Sequence, residues 1–274
     1  MLETGNNTNQ AYSLSIRIHA DGFSFYSCNP LTDKGFKKED YFFQPESDRT
    51  GQILSAVNQS VLIHEKQHAQ FNLLLQSPVT HVPMELFRKE ETELLFNFSN
   101  TKAKTPVQIL YNILPRLEIV EIFRIEEQLY SQLTKQFPNI RYYAQNSMLL
   151  EKMASHQTQY DTGKKLYVYS YNKRIFLFHY KNNKLLFANE FKADNHQSAL
   201  YLLLHVWKNL EFDAYTDECI FLAPGEYELA LMEKVREYLK SVYELSPTVL
   251  FRRAALTRIP QIPFDLLTLL LNGF

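Results

Sequence analysis

The chain is poor in glycine, with seven glycines among its 274 residues. Loops that hold phosphate groups need glycine, because only a residue without a side chain lets backbone N–H groups approach an anion closely. The sequence also contains no GxGxxG motif, no Walker A loop and no Gly-x-Ser-x-Gly elbow. The scarcity of glycine therefore weighs against nucleotide chemistry, and the missing motifs weigh against the common nucleophilic hydrolases.

Cysteines and long apolar runs are scarce as well. Cys28 and Cys219 are the two cysteines, and neither has a CxxC partner, which is typical of buried thiols in a reducing compartment. Residues 1–10 are polar and lack the basic start and apolar run of a signal peptide. No stretch approaches the roughly 18 apolar residues of a membrane span. We therefore expect a cytoplasmic protein.

Neither sign of charge dominates, since the chain has 29 basic and 30 acidic residues. This balance provides no general field that would attract nucleic acid or an anionic membrane. Aromatic residues are plentiful and alternate along residues 167–171 and 176–180. A platform for single-stranded nucleic acid would show such rings. A sheet covered on both faces would show them too, and we favour the covered sheet.

The first half of the chain predicts a three-stranded meander, a helix and a buried strand. Residues 12–19 alternate apolar and polar side chains, and Asp21-Gly22 is a hairpin signal because both central residues of such a turn need positive φ. Residues 23–28 and 37–44 form the next two strands. Ser47 and Asp48 can cap the helix, and residues 71–75 form the buried strand. The predicted apolar face of the helix consists of Ile53, Val57, Val61 and His64.

The same order of elements returns after residue 160. Strands are predicted over residues 166–171, 175–180 and 185–191, with turns at Asn172-Lys173 and Asn182-Asn183. Asp194 with Gln197 makes a capping-box pattern before a helix, whose apolar face is predicted to contain Ala199, Leu203, Val206, Trp207 and Leu210. A buried strand over residues 219–222 and a second helix to about Leu239 complete the unit. The order of elements therefore predicts an internal duplication.

Between the two repeats, residues 93–99, 107–114 and 118–125 are predicted strands, and Pro83 is a candidate helix start. Helices are predicted over residues 126–137 and 147–156, with a strand over residues 140–144 between them. The polar stretch 158–164 is the predicted hinge. The chain is accordingly divided into a first lobe, residues 1–157, and a second lobe, residues 158–274.

Two short motifs accompany this plan, Val-Pro-Met-Glu-Leu-Phe at residues 82–87 and Ile-Pro-Gln-Ile-Pro-Phe-Asp-Leu-Leu at residues 259–267. On these motifs the chain resembles a bacterial family of unknown function assigned to the actin-like ATPase fold. The order of elements also resembles that fold, which belongs to the ribonuclease H-like proteins. The resemblance implies a duplicated α/β architecture of two lobes, each an antiparallel three-strand meander extended by parallel strands with flanking helices.

Members of this fold that hydrolyse ATP carry a phosphate-binding turn in each lobe, Asp-x-Gly followed by a small hydroxyl residue, and an adenosine-contacting Gly-Gly. The resemblance therefore points to Asp21, Gly22 and Gly225 as nucleotide-binding candidates. In the first lobe the intervening residue is missing, and a phenylalanine stands beside the glycine at residues 21–24. In the second lobe residues 171–174 contain neither acid nor glycine. We therefore expect no ATP hydrolysis and no cofactor, with weak binding of ATP and Mg²⁺ as the alternative.

These features lead to two principal hypotheses about function. The leading one is a non-catalytic actin-like module that acts through contacts with a protein partner or as a homodimer. The alternative is an ATP-binding protein that uses Asp21, Gly22 and Gly225 in a degenerate cleft between the lobes. Micromolar binding of ATP would decide for the alternative.

A third and more distant hypothesis is a zinc-dependent hydrolase. His64-Glu65-Lys66-Gln67-His68 matches the HExxH pattern, in which two histidines four residues apart on a helix bind Zn²⁺ and the glutamate activates water. The pattern lies at the end of its predicted helix, it includes a charged lysine, and no third ligand is marked. A solvated helix end is the favoured interpretation.

The C-terminal residues are strongly apolar. Residues 259–263 are predicted to be extended, because each proline disfavours the helical region for the isoleucine before it. Residues 264–272 are predicted to form a short helix, with leucines at 266, 267, 269, 270 and 271 around most of its circumference. Exposed together, these leucines would make a large apolar patch. We therefore expect most of them to pack against the second lobe.

Overall fold

The computed structural model describes residues 12–45, 48–65, 68–156, 163–181 and 184–272. By packing, these residues form two compact units. The first unit contains the described residues up to Thr80 together with Arg88–Asn112 and Ile122–Gln145. The second contains His81–Phe87, Ile113–Glu121 and the described residues from Asn146 onward. The predicted boundary between residues 157 and 158 falls within a stretch outside the described residues. By packing, residues 146–156 belong to the second unit.

The structure contains both strands and helices, which are numbered along the chain. The strands are β1 (Tyr12–His19), β2 (Gly22–Cys28), β3 (Lys37–Phe42), β4 (His68–Leu75), β5 (Val79–Pro83), β6 (Val107–Leu114), β7 (Ile119–Glu126), β8 (Ile140–Ala144), β9 (Lys165–Tyr171), β10 (Arg174–Lys181), β11 (Lys184–Lys192), β12 (Glu218–Leu222) and β13 (Ser241–Leu245). The helices are α1 (Arg49–Gln59), α2 (Val61–Glu65), α3 (Thr92–Ser99), α4 (Glu127–Gln136), α5 (Ser147–Ala154), α6 (His196–Asn209), α7 (Glu226–Arg236), α8 (Pro247–Leu250) and α9 (Phe264–Asn272).

Two five-stranded sheets have the same topology. The first has the order β3-β2-β1-β4-β8, and the second has the order β11-β10-β9-β12-β13. In each sheet the first three strands form an antiparallel meander and the last two strands add in parallel. The predicted duplicated architecture, a meander extended by parallel strands with flanking helices, is confirmed. β13, the fifth strand of the second sheet, was not predicted from the sequence.

The core of the first unit lies on one face of its sheet. Alternation along β1 sends Leu14, Ile16 and Ile18 to that face, where they meet apolar residues of α1, α2 and α4. The second unit repeats this arrangement with Leu166 and Val168 of β9 against α6 and α7. Hydrophobic burial on one face of each sheet therefore fixes which way every strand faces.

The predicted single helix after β3 is two helices, with Ser60 between them in an extended conformation. The Ser60 hydroxyl accepts a hydrogen bond from Ile63 N at 3.2 Å and donates one to Glu39 Oε2 at 2.6 Å. This cap starts a new helix and rotates its faces, so Val61, a predicted core residue, is exposed. Asp48 stands at the N-cap of α1 without a side-chain cap bond, and Ser47 lies outside the described residues.

Two other local predictions were wrong, and a third holds in part. Residues 93–99 belong to helix α3 rather than a strand, because the buried positions Thr92 and Phe96 are four residues apart. Pro83, the candidate helix start, ends strand β5 and is the N-cap of a single 3₁₀ turn over the next three residues. The N-cap of α6 is Asn195, whose Oδ1 accepts from Ser198 N at 2.9 Å, and not Asp194.

Strands β5, β6 and β7, which the chain inserts between β4 and β8 of the first repeat, form a third sheet, in the order β5-β7-β6. The division into units passes through all three strands, so each contributes residues to both units. The predicted strands over residues 107–114 and 118–125 are confirmed as β6 and β7. None of the helices in the described part of the chain has the length and hydrophobicity of a membrane span.

The predicted C-terminal helix is confirmed as α9, and it packs against α5 within the second unit. The leucines at 266, 267, 269 and 270 are buried. Phe264 contacts the ring of Tyr169 on β9, with 6.0 Å between the ring centroids. Residues 259–262 form a turn, closed by a hydrogen bond from Ile262 N to Ile259 O at 3.2 Å, so the prediction of a fully extended segment was wrong.

Replacing Leu266 with alanine should lower the free energy of unfolding by about 2–5 kcal/mol, because it leaves a cavity at a fully buried position. The matched control is Leu186→Ala on β11, where the leucine is exposed and the change should stay within about 0.5 kcal/mol. Chemical denaturation followed by circular dichroism measures both. Equal stability of Leu266→Ala and the unchanged protein would show that α9 is not part of the core.

Candidate functional site

Asp21 lies in the turn of the first hairpin, between β1 and β2. His19 pairs with Gly22, so the turn consists of Ala20 and Asp21, one residue earlier than predicted. Neither of these residues has a positive φ, so the expected turn type is wrong although the hairpin is right. The Asp21 carbonyl accepts a hydrogen bond from Phe43 N at 3.0 Å, which ties the turn to the end of β3.

Strand packing explains the glycine at position 22 without a ligand. It pairs with Phe42 of β3, and a Cβ atom at this position would lie 2.1 Å from the Tyr41 carbonyl oxygen. The hydroxyl residue that follows is Ser24, which is buried and donates to Asp40 Oδ1 at 2.6 Å. Burial raises the pKa of Asp40, but hydrogen bonds from Lys38 and Ser24 outweigh it, so the pKa is lowered. Both the glycine and the hydroxyl therefore serve the pairing of β2 with β3.

The corresponding turn of the second sheet is Asn172-Lys173, as predicted. Both residues have a positive φ, 43° and 58°, which is the geometry of a type I′ hairpin turn. Next to the turn, Arg174 Nη1 donates to Glu190 Oε2 at 3.0 Å, and the same carboxylate accepts from the Tyr171 hydroxyl. The cation beside this turn is thus neutralised within the chain. The Asn182-Asn183 turn lies outside the described residues.

Gly225 is the N-cap of α7, where the fold's adenosine-contacting glycines would stand. Its N–H donates to Glu228 Oε2 at 3.1 Å, and Glu226 also lies in the first helical turn. Two carboxylates in the first turn complement the positive end of the helix dipole, so an anionic ligand there would meet like charge. Of the three nucleotide candidates, Asp21 and Gly22 lie at the hairpin turn and Gly225 caps a helix, and the Asp21 carbonyl and the Gly225 N–H already have partners in the chain.

The residues of the HExxH pattern do not share a helix. His64 is exposed at the end of α2, which closes at Glu65, and His68 begins β4. His68 Nε2 lies 3.1 Å from the Ser27 hydroxyl, and its ring meets Phe71 edge-on. The premise of a common helical face is therefore wrong. Among the described residues, no three His, Cys, Asp or Glu side chains form a cluster that could hold a metal ion.

Both cysteines are buried, as predicted, and neither forms a disulfide. Burial raises the pKa of the Cys28 thiol to about 12, and it raises the pKa of Cys219 further. A buried thiol with a raised pKa is a poor nucleophile, because the thiolate is the reactive form. The cysteines therefore serve packing.

The aromatic residues of β9 and β10 lie on one face of the second sheet, opposite to the face that carries Leu166 and Val168, and except for the half-buried Tyr171 they are buried. Tyr167 stacks on Phe178 with 5.2 Å between centroids, and Tyr180 donates its hydroxyl to the Leu150 carbonyl of α5 at 2.8 Å. Rings enclosed in this way cannot stack on the bases of a nucleic acid. The covered-sheet interpretation is confirmed.

The sequence analysis missed a buried polar cluster in the second unit. Glu121 of β7 is 1% exposed, His81 Nε2 lies 3.1 Å from its Oε1, and the Ser147 hydroxyl donates to its Oε2. The cluster joins β5, β7 and the start of α5. An acid among the apolar residues of β7 was the one signal that pointed to it. Because the carboxylate stands between the serine and the histidine, the cluster lacks the Ser–His–acid order of a hydrolase triad.

A second buried acid, Glu151 of α5, is 5% exposed. Its Oε1 accepts from Arg116 N at 3.1 Å and lies 3.5 Å from Arg116 Nε, while its Oε2 is buried without a hydrogen-bond partner. Burial raises the pKa of Glu151, and the Arg116 contacts offset this only in part. Like charge from Arg116 and Arg252 adds to burial in lowering the pKa of the neighbouring Lys152.

Comparison with solved structures defines the class of fold. A Bacteroides thetaiotaomicron VPI-5482 protein of unknown function with an actin-like ATPase fold is 27% identical, with 98% of both chains covered and a TM-score of 0.77. The PilM-PilN type IV pilus biogenesis complex contains a chain that is 11% identical, with 96% of this chain and 98% of that chain covered and a TM-score of 0.60. The protein therefore has the actin-like ATPase fold.

Comparison with protein-family models assigns the chain to a family. Residues 3–242 match the family described as proteins of unknown function DUF3822, and the chain belongs to that family. None of the curated proteins matches the chain.

The account of Gly22 predicts a large difference between two glycine substitutions. Gly22→Ala should lower the free energy of unfolding by about 1–3 kcal/mol, because the new methyl group meets the backbone of β3. Gly225→Ala is the matched control and should cost less than about 1 kcal/mol, since its Cβ meets only the flexible end of Glu228, 3.2 Å away. Equal and small effects in urea denaturation would contradict the structural role of Gly22.

Glu151 should make stability depend on pH. A pKa raised above its ordinary value of 4.5 means that the folded state binds the proton more tightly than the unfolded state. The stabilisation is then complete below that value and is lost as the pH rises through the folded pKa. Glu151→Gln should therefore flatten the decline of the free energy of unfolding between pH 4 and pH 7. The control is Glu244→Gln, which changes an exposed glutamate on β13. If the free energy of unfolding of Glu151→Gln declines as steeply with pH as that of the unchanged protein, the role of Glu151 is contradicted.

Proposed function

We propose that this protein is a non-catalytic actin-like module that acts through protein–protein contacts. The observation that carries the proposal is the use of the candidate nucleotide positions for internal contacts. Gly22 accommodates the backbone of β3, and the Gly225 N–H donates to Glu228. A phosphate at the first turn would meet the pairing of β2 with β3 that Gly22 allows, and a phosphate at the start of α7 would meet the carboxylates of Glu226 and Glu228.

The buried acids support the same proposal. Glu121 has its two oxygens engaged by His81 and Ser147, in a position where neither water nor substrate reaches it. Such a cluster joins strands and a helix and presents no group to a reactant. The residues of this cluster are thus used for structure, which favours a binding role over catalysis.

The comparison with the pilus biogenesis complex adds support from the fold. In that complex a chain of the same fold is associated with another protein, PilN. At 11% identity the likeness extends to the fold alone. It therefore supports protein contact as a use of this architecture and carries over no particular partner to this chain.

Calorimetric titration with ATP and Mg²⁺ tests the proposal against the nucleotide-binding alternative. We expect no saturable heat up to millimolar ATP, because the first turn is paired with β3 and the start of α7 carries two carboxylates. Micromolar binding that is lost in Asp21→Ala would overturn the proposal and establish the alternative at Asp21, Gly22 and Gly225. A catalytically active actin-like ATPase serves as the positive control for the reagents.

A further inference from the structure

Three cations from separate elements of the second unit lie close together. Arg116 belongs to the 3₁₀ turn after β6, Lys152 lies in the last turn of α5, and Arg252 follows α8. The Arg116 Nε lies 3.5 Å from Oε1 of Glu151, the residue before Lys152. The Lys152 Nζ lies 4.8 Å from the ring centroid of Phe251, the residue before Arg252. These contacts bring both arginines to the end of α5.

The cluster has an excess of positive charge. Burial lowers the pKa of Lys152, and the like charges of Arg116 and Arg252 lower it further. Glu151 forms an ion pair with Arg116, whose side chain remains 62% exposed. Among the described residues, neither Lys152 nor Arg252 has a carboxylate as an ion-pair partner. Cations held together without enough carboxylates to balance them attract an anionic ligand.

The backbone at Arg252 does not favour a residue with a side chain. Arg252 and Arg253 have positive φ values of 49° and 60°, a region that glycine adopts at the least cost. Hydrogen bonds hold this turn, from Arg252 N to Val249 O at 3.3 Å and from Arg253 N to Thr248 O at 2.8 Å. Both arginines are exposed. Their presence is therefore explained better by the use of a side chain than by the turn.

Exposed apolar side chains lie beside the turns that carry the arginines. Val249, at the end of α8, is 67% exposed. A hydrogen bond from Met84 N to Glu118 O at 2.8 Å joins the 3₁₀ turn of the Val-Pro-Met-Glu-Leu-Phe motif to the turn of Arg116. In that motif Met84 is 37% exposed and Leu86 is 62% exposed. Arginine and methionine are enriched in the interfaces between proteins, so the composition indicates a protein contact.

We propose that an acidic segment of a partner protein docks on this basic and apolar surface. The surface consists of Met84, Leu86, Arg116, Lys152, Val249 and Arg252. Its charge requires an acidic occupant, and guanidinium groups bind carboxylates through paired hydrogen bonds. Its apolar side chains favour a peptide over a nucleic acid, which would meet them with phosphates. This inference rests on the proposed function and names the chemistry of the partner.

Fluorescence anisotropy of a labelled synthetic peptide, titrated with the full chain, tests the inference. The probe is a soluble peptide of glutamates with interspersed leucines, and its counterpart carries glutamine in place of every glutamate. The glutamate peptide should bind, and the glutamine peptide should bind about threefold more weakly or less. Binding should also weaken as the salt concentration rises, because exposed charges are screened.

Two variants place the binding on the cluster. Arg252→Glu and Lys152→Gln should each weaken binding of the glutamate peptide by about threefold or more. Lys208→Glu is the matched control for Arg252→Glu, because it changes the net charge equally at an exposed position of α6. It should leave binding unchanged. Circular dichroism confirms that the three variants are folded.

Three results would overturn the inference. They are no binding of the glutamate peptide, equal binding by Arg252→Glu and Lys208→Glu, and binding of a single-stranded oligonucleotide as tightly as the peptide. Each of these results concerns this surface alone. Contact with a partner elsewhere, and hence the proposed function, would stand, since the titration with ATP decides it separately.

Discussion

The parallel pairing of the first strand of each sheet with its fourth is the contact on which the rest of the structure depends. Ile16 of β1 lies opposite Leu73 of β4, and Leu166 of β9 lies opposite Cys219 of β12. This pairing places the first strand in the middle of the sheet and directs its alternate residues into the core. A shift of one residue would turn every apolar side chain to the other face. The helices can pack only because this register holds.

The same constraint explains the candidate site. Close approach of β3 to β2 requires glycine at position 22, and the hydroxyl of Ser24 is drawn into the same strand pairing. At the start of α7 the Gly225 N–H donates a hydrogen bond to the Glu228 side chain. The Asp21 carbonyl and the Gly225 N–H thus contact other groups of the chain. The fold is the actin-like ATPase fold, and these internal contacts are what the proposed non-catalytic role rests on.

The parts of the fold that the sequence predicts are those governed by local pattern. The strands β1 and β9 and the turn at Asn172-Lys173 depend only on neighbouring residues, and these predictions hold. Helix α3 was predicted as a strand because apolar and polar residues alternate over residues 96–99. Which residues are buried, Thr92 and Phe96, is determined by tertiary contacts. The cluster around Glu121 joins three segments that are distant in sequence. The one sign of it in the sequence was therefore an acid within an apolar strand.

Amide hydrogen exchange with and without ATP and Mg²⁺ distinguishes an empty from an occupied nucleotide site. We expect identical exchange at the β1–β2 turn and at the start of α7, because the Asp21 carbonyl and the Gly225 N–H have partners within the chain and Glu226 and Glu228 disfavour an anion. Slower exchange at Asp21 and at Gly225 together, at micromolar ATP, would contradict the account.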